Sequence, residues 1–527
     1  MPDREHTPPP DSEGSGDRAS YRSGFFFGSL SFLGTTVLGL VSTIVTARIY
    51  GVDIIGEFTL AAAPAAILFV LSTVKEQQAM IKEITALPPR HPRVTQLFAA
   101  VFTFSWLLTL LVGALDVVVC WFVFHGPLDA PQLFAPAAVN VLIFVVLTNT
   151  GWNIDSILSA FVAGRQIFWV RLLEVSSFIV IAVALGFGSR SVWSLVIATA
   201  GGAFCPLLLR AFFVRRFVRA RLSWAEYREG LRFLPSLLPF GLRATPGQMA
   251  QGIGQQAGVW ALGMMSTTAM VGAYSRAISI PQRLQQASLR VTEVLYPTLV
   301  SRHTGGDGHG FDRALIDSIR YEVIGMLLAA AAIGGAAHSV LEIFGPGFAQ
   351  AAPALALLML YPALGSITVA QTQGLWAVDR PGMTSVIAVT RMVVTIVLVI
   401  VLTPPLGIAG PALALLAGYA WHAFFAGLAM RRHLTQRLRV SWPIRERLAL
   451  GLAYGGGFAA ARTVERAVAG TGGAALALAA ATVVYAPLFV ALGGLNARDR
   501  QRLGQLVAWV RRRTGREHEP AAQSNPA

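Results

Sequence analysis

Three arginines recur at intervals of seven in the stretch YSRAISIPQRLQQASLR: Arg276, Arg283 and Arg290. Seven residues are two turns of an α-helix, so these guanidinium groups share one face and form a ladder about 20 Å long. Arginine presents a planar fork of donors that grips phosphate oxygens in pairs. The chemistry on offer is therefore recognition of an anionic, phosphate-bearing ligand, with Gln282, Gln285 and Gln286 beside the ladder. Arg243, on the preceding apolar segment, stands to contribute from an adjacent wall. In the alternative reading the arginines pair with Glu293 or reach out to the two membrane surfaces, which suits Arg276 and Arg290 but suits Arg283 poorly.

The elements that carry such a ladder must be buried in lipid. The 527 residues are 54% hydrophobic and only 13% charged, with a mean hydropathy of +0.59. A soluble domain has about 25% charged residues, so a soluble protein is excluded, and so is a disordered chain. Apolar runs long enough for a bilayer fall at about 24–47, 57–78, 96–124, 132–155, 168–187, 192–214, 233–262, 272–300, 318–342, 350–376, 383–402, 406–430, 446–464 and 471–494. Charge at bilayer depth is expensive and faces a wet cavity or a partner. The arginine-bearing eighth span is thus expected to line a cleft.

Fourteen spans put both termini on one side. Of the 42 Lys and Arg residues, 32 fall in the segments on the side of the N-terminus and two, Arg190 and Arg466, in the opposite loops. By the positive-inside rule both termini are cytoplasmic. The net charge of +15 is mostly this topological signal, and no nucleic-acid partner is needed. Cys120 and Cys205 lie in apolar runs, so neither a disulfide framework nor a cysteine metal site is expected. Residues 1–22 read as a disordered cytoplasmic tail. Residues 496–527 read as a basic tail whose Leu503, Leu506, Val507 and Val510 make an apolar stripe suited to an anionic inner leaflet. Among the acids, Asp116 is the candidate for a coupling proton or sodium ion. Asp155 reads as interfacial, and Glu174 as the i,i+3 partner of Arg171. His338 and His422 read as core histidines, and Lys75–Glu76 as a solvated helix end. No catalytic or metal site emerges.

The chain repeats itself. Gly56-Glu57-Phe58 matches Gly272-Ala273-Tyr274, Gly202 matches Gly418, and Arg215-Arg216 matches Arg431-Arg432, all at an offset of 216; Arg165 and Arg380 match at 215. FHGP (124–127) echoes IFGPGF (343–348). Six spans separate the copies, and an even number preserves direction, so the repeats are parallel and related by an axis along the membrane normal. The expected fold is an all-α polytopic membrane protein with about 14 transmembrane helices in two six-helix lobes. The lobes span 23–219 and 233–432, joined by a basic cytoplasmic linker at 220–232, with an extra helix pair at 445–495.

The runs ARIYGVDIIGEFTLA, VGAYSRAISIPQRL with LYPTLVSR, IFGPGFAQAAPALALL and LTPPLGIAGPALALLAGYA resemble the polysaccharide-export flippases of the multidrug/oligosaccharidyl-lipid/polysaccharide (MOP) superfamily, across about 23–432. The resemblance implies a V-shaped pair of lobes in a bacterial cytoplasmic membrane that moves a polyprenyl-pyrophosphate oligosaccharide by alternating access. It further implies glycosyltransferases or a polymerase of the same pathway as partners. The alternatives are a peptidoglycan-precursor flippase or a multidrug exporter of the superfamily. The relatives that flip the peptidoglycan precursor carry a Ser-Arg motif in the first span, and here no basic residue occurs between Gly24 and Ala47. A membrane-embedded polymerase is the remaining alternative; short outer loops and the lack of a DxD-like acidic pair argue against it.

Overall fold

The computed structural model of the protein describes residues 16–72, 76–85, 87–161, 163–219, 223–433, 443–468, 470–496, 499–501 and 505. Regular structure among them is helical. In chain order the helices are α1 (Gly16–Leu71), α2 (Glu76–Ile84), α3 (Pro92–His125), α4 (Phe134–Ile143), α5 (Asn149–Ala160), α6 (Gly164–Gly188), α7 (Val192–Val214), α8 (Trp224–Met265) and α9 (Thr268–Thr304). Then follow α10 (Gly308–Gly335), α11 (Ala337–Glu342), α12 (Ala352–Leu358), α13 (Tyr361–Ala377), α14 (Pro381–Leu406), α15 (Ala409–His433), α16 (Ile444–Ala467) and α17 (Gly470–Ala491). Eight of these segments are long and apolar enough to cross a membrane, nine if the bent pair α12–α13 is one span. The polar faces of α8, α9, α10 and α16 keep those helices outside that criterion.

Several boundaries carry physical detail that hydropathy does not. The first two spans run together as α1 and part at Gly51, whose φ of 79° belongs to the left-handed region open to glycine. The fourth span is α4 and α5, joined by a wide π turn at Phe144–Thr148. The basic stretch 220–232 is helical from Trp224, where Ser223 and Glu226 form a capping box. α9 passes through Pro281 as one helix, so Arg276, Arg283 and Arg290 do ride on one element.

Two lobes of the same design result. In the first, α1 packs on α6 and α6 on α7; in the second, α8 packs on α14 and α14 on α15. The repeat glycines do the same job in each. A Cβ on Gly202 would meet Phe178 of α6, and one on Gly418 would meet Thr395 of α14. Each glycine is thus the notch in which α7 or α15 seats on its neighbour, the close approach by which membrane helices associate. The pair α16–α17 docks on α10 of the second lobe. Outside, the surface is apolar: Leu111, Phe122 and Phe187 are 71%, 70% and 84% exposed, as befits side chains whose solvent is lipid.

Candidate functional site: the face between the lobes

At one end of the molecule the lobes meet through a chain of close contacts. A Cβ on Gly56 would lie 1.8 Å from the carbonyl oxygen of Thr268, and one on Gly272 would lie 2.0 Å from that of Val52. The two glycines that share the 216-residue register therefore face each other. Residues related by a two-fold axis touch each other only beside that axis, so this pair marks it. Next to it Arg48 Nε donates to the carbonyl of Ile343 at 2.8 Å, and Gly347 packs on Val52. The motifs that carry the family resemblance, around 47–58, 271–274 and 343–348, thus converge on a backbone-to-backbone seal.

α8 closes the other end diagonally. Its first turns lie on α3, where Gly230 abuts the carbonyl of Gln96 and Gln96 donates to Glu229 at 3.0 Å. Further along, Gly247 and Gly254 seat it on Ser385 and Met392 of α14. One 42-residue helix thereby touches both lobes.

Between these ends sits the ladder. Arg283 is half-buried and reaches from α9 across to α1, where Nη2 donates to the carbonyl of Gly39 at 3.1 Å. The approach is close: a Cβ at Gly39 would stand 2.7 Å from Nη1, so the guanidinium would have to shift. Arg276, also half-buried, leaves Nε buried with no hydrogen-bond partner among the described residues. Gln282 is half-buried and Gln286 exposed. The side chains of Arg243, Arg290 and Glu293 lie outside the described residues, so the proposed Glu293 pairing does too. The apolar stripe of the C-terminal tail also lies outside them.

Asp116 is half-buried in α3, and its Oδ2 has no hydrogen-bond partner among the described residues. The other acids are more engaged than spacing suggests. The i,i+3 pair Arg171–Glu174 is present at 3.2 Å. Asp155 is buried within the protein, gripped by Arg210 through two bonds of 2.8 and 2.9 Å and by Arg171 at 3.1 Å; Arg210 also reaches Glu174 at 2.9 Å. This network locks α5, α6 and α7 together. No local spacing signals it, because Asp155 and Arg210 are 55 residues apart.

Two minor expectations need correction, and a third holds. Glu76 is fully buried rather than solvated. His338 is exposed, not a core residue, and lies 3.2 Å from Glu342, one turn on along α11. His422 is in the core, yet neither ring nitrogen has a partner among the described residues. Its neighbourhood is the buried Arg391, stacked 4.5 Å over Tyr419, which meets Tyr361 edge-on at 4.7 Å.

Comparison with known proteins adds to this geometry. No family model matches the chain. An uncharacterized membrane protein, EpsK of Bacillus subtilis (strain 168), is 25% identical over 243 residues, 43% of this chain and 46% of that protein. The alignment thus spans about half the length of that curated relative. A structure of the lipid II flippase MurJ in an inward closed conformation superimposes with a TM-score of 0.67 at 13% identity, covering 88% of this chain and 98% of that one. An inward-facing multidrug resistance MATE transporter of the MOP superfamily superimposes with a TM-score of 0.55 at 17% identity, covering 78% and 94%. The fold of this chain is accordingly the one seen in these solved structures of a lipid II flippase and a MOP-superfamily transporter.

Proposed function

We propose that the protein is a flippase that carries a polyprenyl-pyrophosphate oligosaccharide, or a related polysaccharide precursor, across a bacterial cytoplasmic membrane with both termini cytoplasmic. The observation that carries this reading is Arg283, a guanidinium at the face between two lobes, aimed at the opposite lobe and bonded there, among the described residues, to the carbonyl of Gly39. A neutral carbonyl holds a cation weakly compared with phosphate oxygens, so an anionic head group would displace it. Arg276, whose Nε has no partner among the described residues, would supply the next rung of the track, and Arg243 and Arg290 are proposed to extend it. The likeness to a lipid II flippase supports a lipid-borne cargo. Enzymes that build or polymerise the oligosaccharide are the proposed partners.

A coupling ion belongs to the same proposal. Asp116, whose Oδ2 is buried with no hydrogen-bond partner among the described residues, is proposed as the carrier of a coupling proton or sodium ion. A multidrug exporter is the second reading, and the cationic character of the ladder disfavours cationic drugs. The test is transport in proteoliposomes with a fluorescent polyprenyl-pyrophosphate oligosaccharide on one side and a cationic dye in a parallel assay. Wild-type protein should flip the lipid and ignore the dye. Arg283→Ala should lower lipid flipping at least tenfold while eluting normally on gel filtration. Wild-type flipping by that variant would remove the head-group site, and dye transport alone would favour the exporter.

A further inference from the structure

Inside the second lobe, away from the ladder, lies a buried cluster made of hydrogen-bond donors. Arg391 of α14 is 5% exposed, and Tyr361, Tyr419 and His422 beside it are 3%, 4% and 6% exposed. Arg391 stands ten residues beyond Pro381, the start of α14. At 1.5 Å per residue that is about 15 Å along the helix, near the middle of a bilayer core. The notch at Gly418 draws α15 onto its stem, since a Cβ there would lie 3.5 Å from Arg391 Cγ.

No acid accompanies this arginine. α12, α13, α14 and α15 contain neither Asp nor Glu. α8, which also packs on α14 and α15, has its two acids, Glu226 and Glu229, near its start. Glu229 precedes Gly254, the residue facing Met392, by about 38 Å of helix. Among the described residues Arg391 makes no ion pair and no hydrogen bond. Its Cζ lies 4.5 Å over the Tyr419 ring, and a ring face offsets only part of the cost of burying a cation.

Donors outnumber acceptors throughout the cluster. A guanidinium has five N–H groups and an imidazole at least one. Neither ring nitrogen of His422 has a partner among the described residues, and the Arg391 charge bears on that ring. The hydroxyls of Tyr361 and Tyr419 are within hydrogen-bonding reach of each other. One bond between them uses one of two hydrogens, and neither hydroxyl donates to another described residue. The first lobe closes without any of this: at the 216-residue register, Tyr419 and His422 fall on Ala203 and Pro206. Packing of the duplicated fold therefore does not require the cluster.

We propose that Arg391, His422 and the Tyr361–Tyr419 hydroxyl pair bind a chloride ion inside the second lobe. One monovalent anion balances one guanidinium, whereas a phosphate dianion would leave a net charge in a low-dielectric interior. A small sphere accepts N–H and O–H donors from several directions, and it needs no path for a bulky head group through the lobe. Its ligands come from α13, α14 and α15, so the ion would hold these three helices together at mid-depth. The site does not depend on the flippase reading.

The test is equilibrium binding of 36Cl− to the purified full-length protein in detergent, in sodium gluconate buffer without lipid cargo. Saturable binding by the wild type is expected, with at least a tenfold loss of affinity in Arg391→Met. Tyr361→Phe and His422→Phe, which keep a ring in place, should each weaken binding severalfold. Sodium chloride, more than sodium gluconate, should raise the Tm of the wild type and not that of Arg391→Met. Absence of saturable wild-type binding overturns the site. So does wild-type affinity in Arg391→Met or, should that variant aggregate, in both Tyr361→Phe and His422→Phe. Loss of binding in Arg283→Ala alone would put the anion on the ladder and overturn it too, whereas lost binding in Arg391→Met with lipid flipping intact in Arg283→Ala would sink the head-group reading and leave this site standing.

Discussion

Each buried ionisable group has a different reason to be there. Arg210 and Asp155, with side chains 4% and 12% exposed, are a structural pair, since two parallel bonds and Glu174 leave neither charge free. Removing one partner of a buried pair strands the other and costs about 3–5 kcal/mol. Asp155→Ala should therefore lower the Tm clearly, whereas Asp155→Ala with Arg210→Met should recover most of the loss. A double variant as unstable as the single one would show that the pair does more than neutralise itself. Arg391 is the opposite case, a buried guanidinium that no described acid neutralises. The seven-residue spacing of the arginines was legible in sequence because it is local. The Arg391 cluster was not, because Tyr361, Arg391 and Tyr419 come from three helices and only Tyr419 and His422 are at helical spacing from each other.

Among the elements, the C-terminal segment shows how a polar cluster docks a helix. Asn496 and Asp499 cap each other reciprocally at 3.0 and 2.8 Å. Asp499 is also bonded by Arg320 and, at 2.7 Å, by the hydroxyl of Tyr321. Burial alone would raise the Asp499 pKa, but these hydrogen bonds and the Arg320 charge outweigh it and hold the carboxyl below its ordinary 3.8. A depressed pKa contributes stability that is present above the unfolded value and lost as pH falls through the folded one. The clamp should hold from pH 8 down to pH 5 and release only in stronger acid, below about 4. At neutral pH, Asp499→Asn should speed tryptic cleavage at Arg500 severalfold, and unchanged cleavage would deny the clamp any role in docking. Helix positions were readable from apolar runs, whereas the Gly51 break and the π turn at Phe144–Thr148 were not. Both are backbone choices, and neither changes the hydropathy of the segment that contains it.

At the scale of the whole molecule, the duplication was legible in the register of Gly56 with Gly272 and Gly202 with Gly418, but not the use made of it. Sequence comparison finds that two glycines are equivalent; only the fold shows that one such pair seats helices within the lobes while the other pair meets across them. Because the Gly56–Gly272 contact lies on the symmetry axis, each glycine meets the other lobe's backbone at nearly the same distance, 1.8 and 2.0 Å for an added Cβ. An alanine at either position must push the lobes apart at that end by steric overlap with a carbonyl. Overpacking of this kind costs about 1–3 kcal/mol, which would shift a closed-to-open equilibrium about 5–150-fold. Ser279, one turn before Arg283 and half-buried, reports on that opening. With Cys120 and Cys205 replaced by alanine and Ser279→Cys introduced, an impermeant maleimide added on the outer side should label slowly. Gly56→Ala and Gly272→Ala should each raise that rate at least fivefold, and by similar factors because their contacts mirror one another. An increase from only one of the two would mean that the seal is not on the axis, and no increase from either would mean that the lobes do not part there.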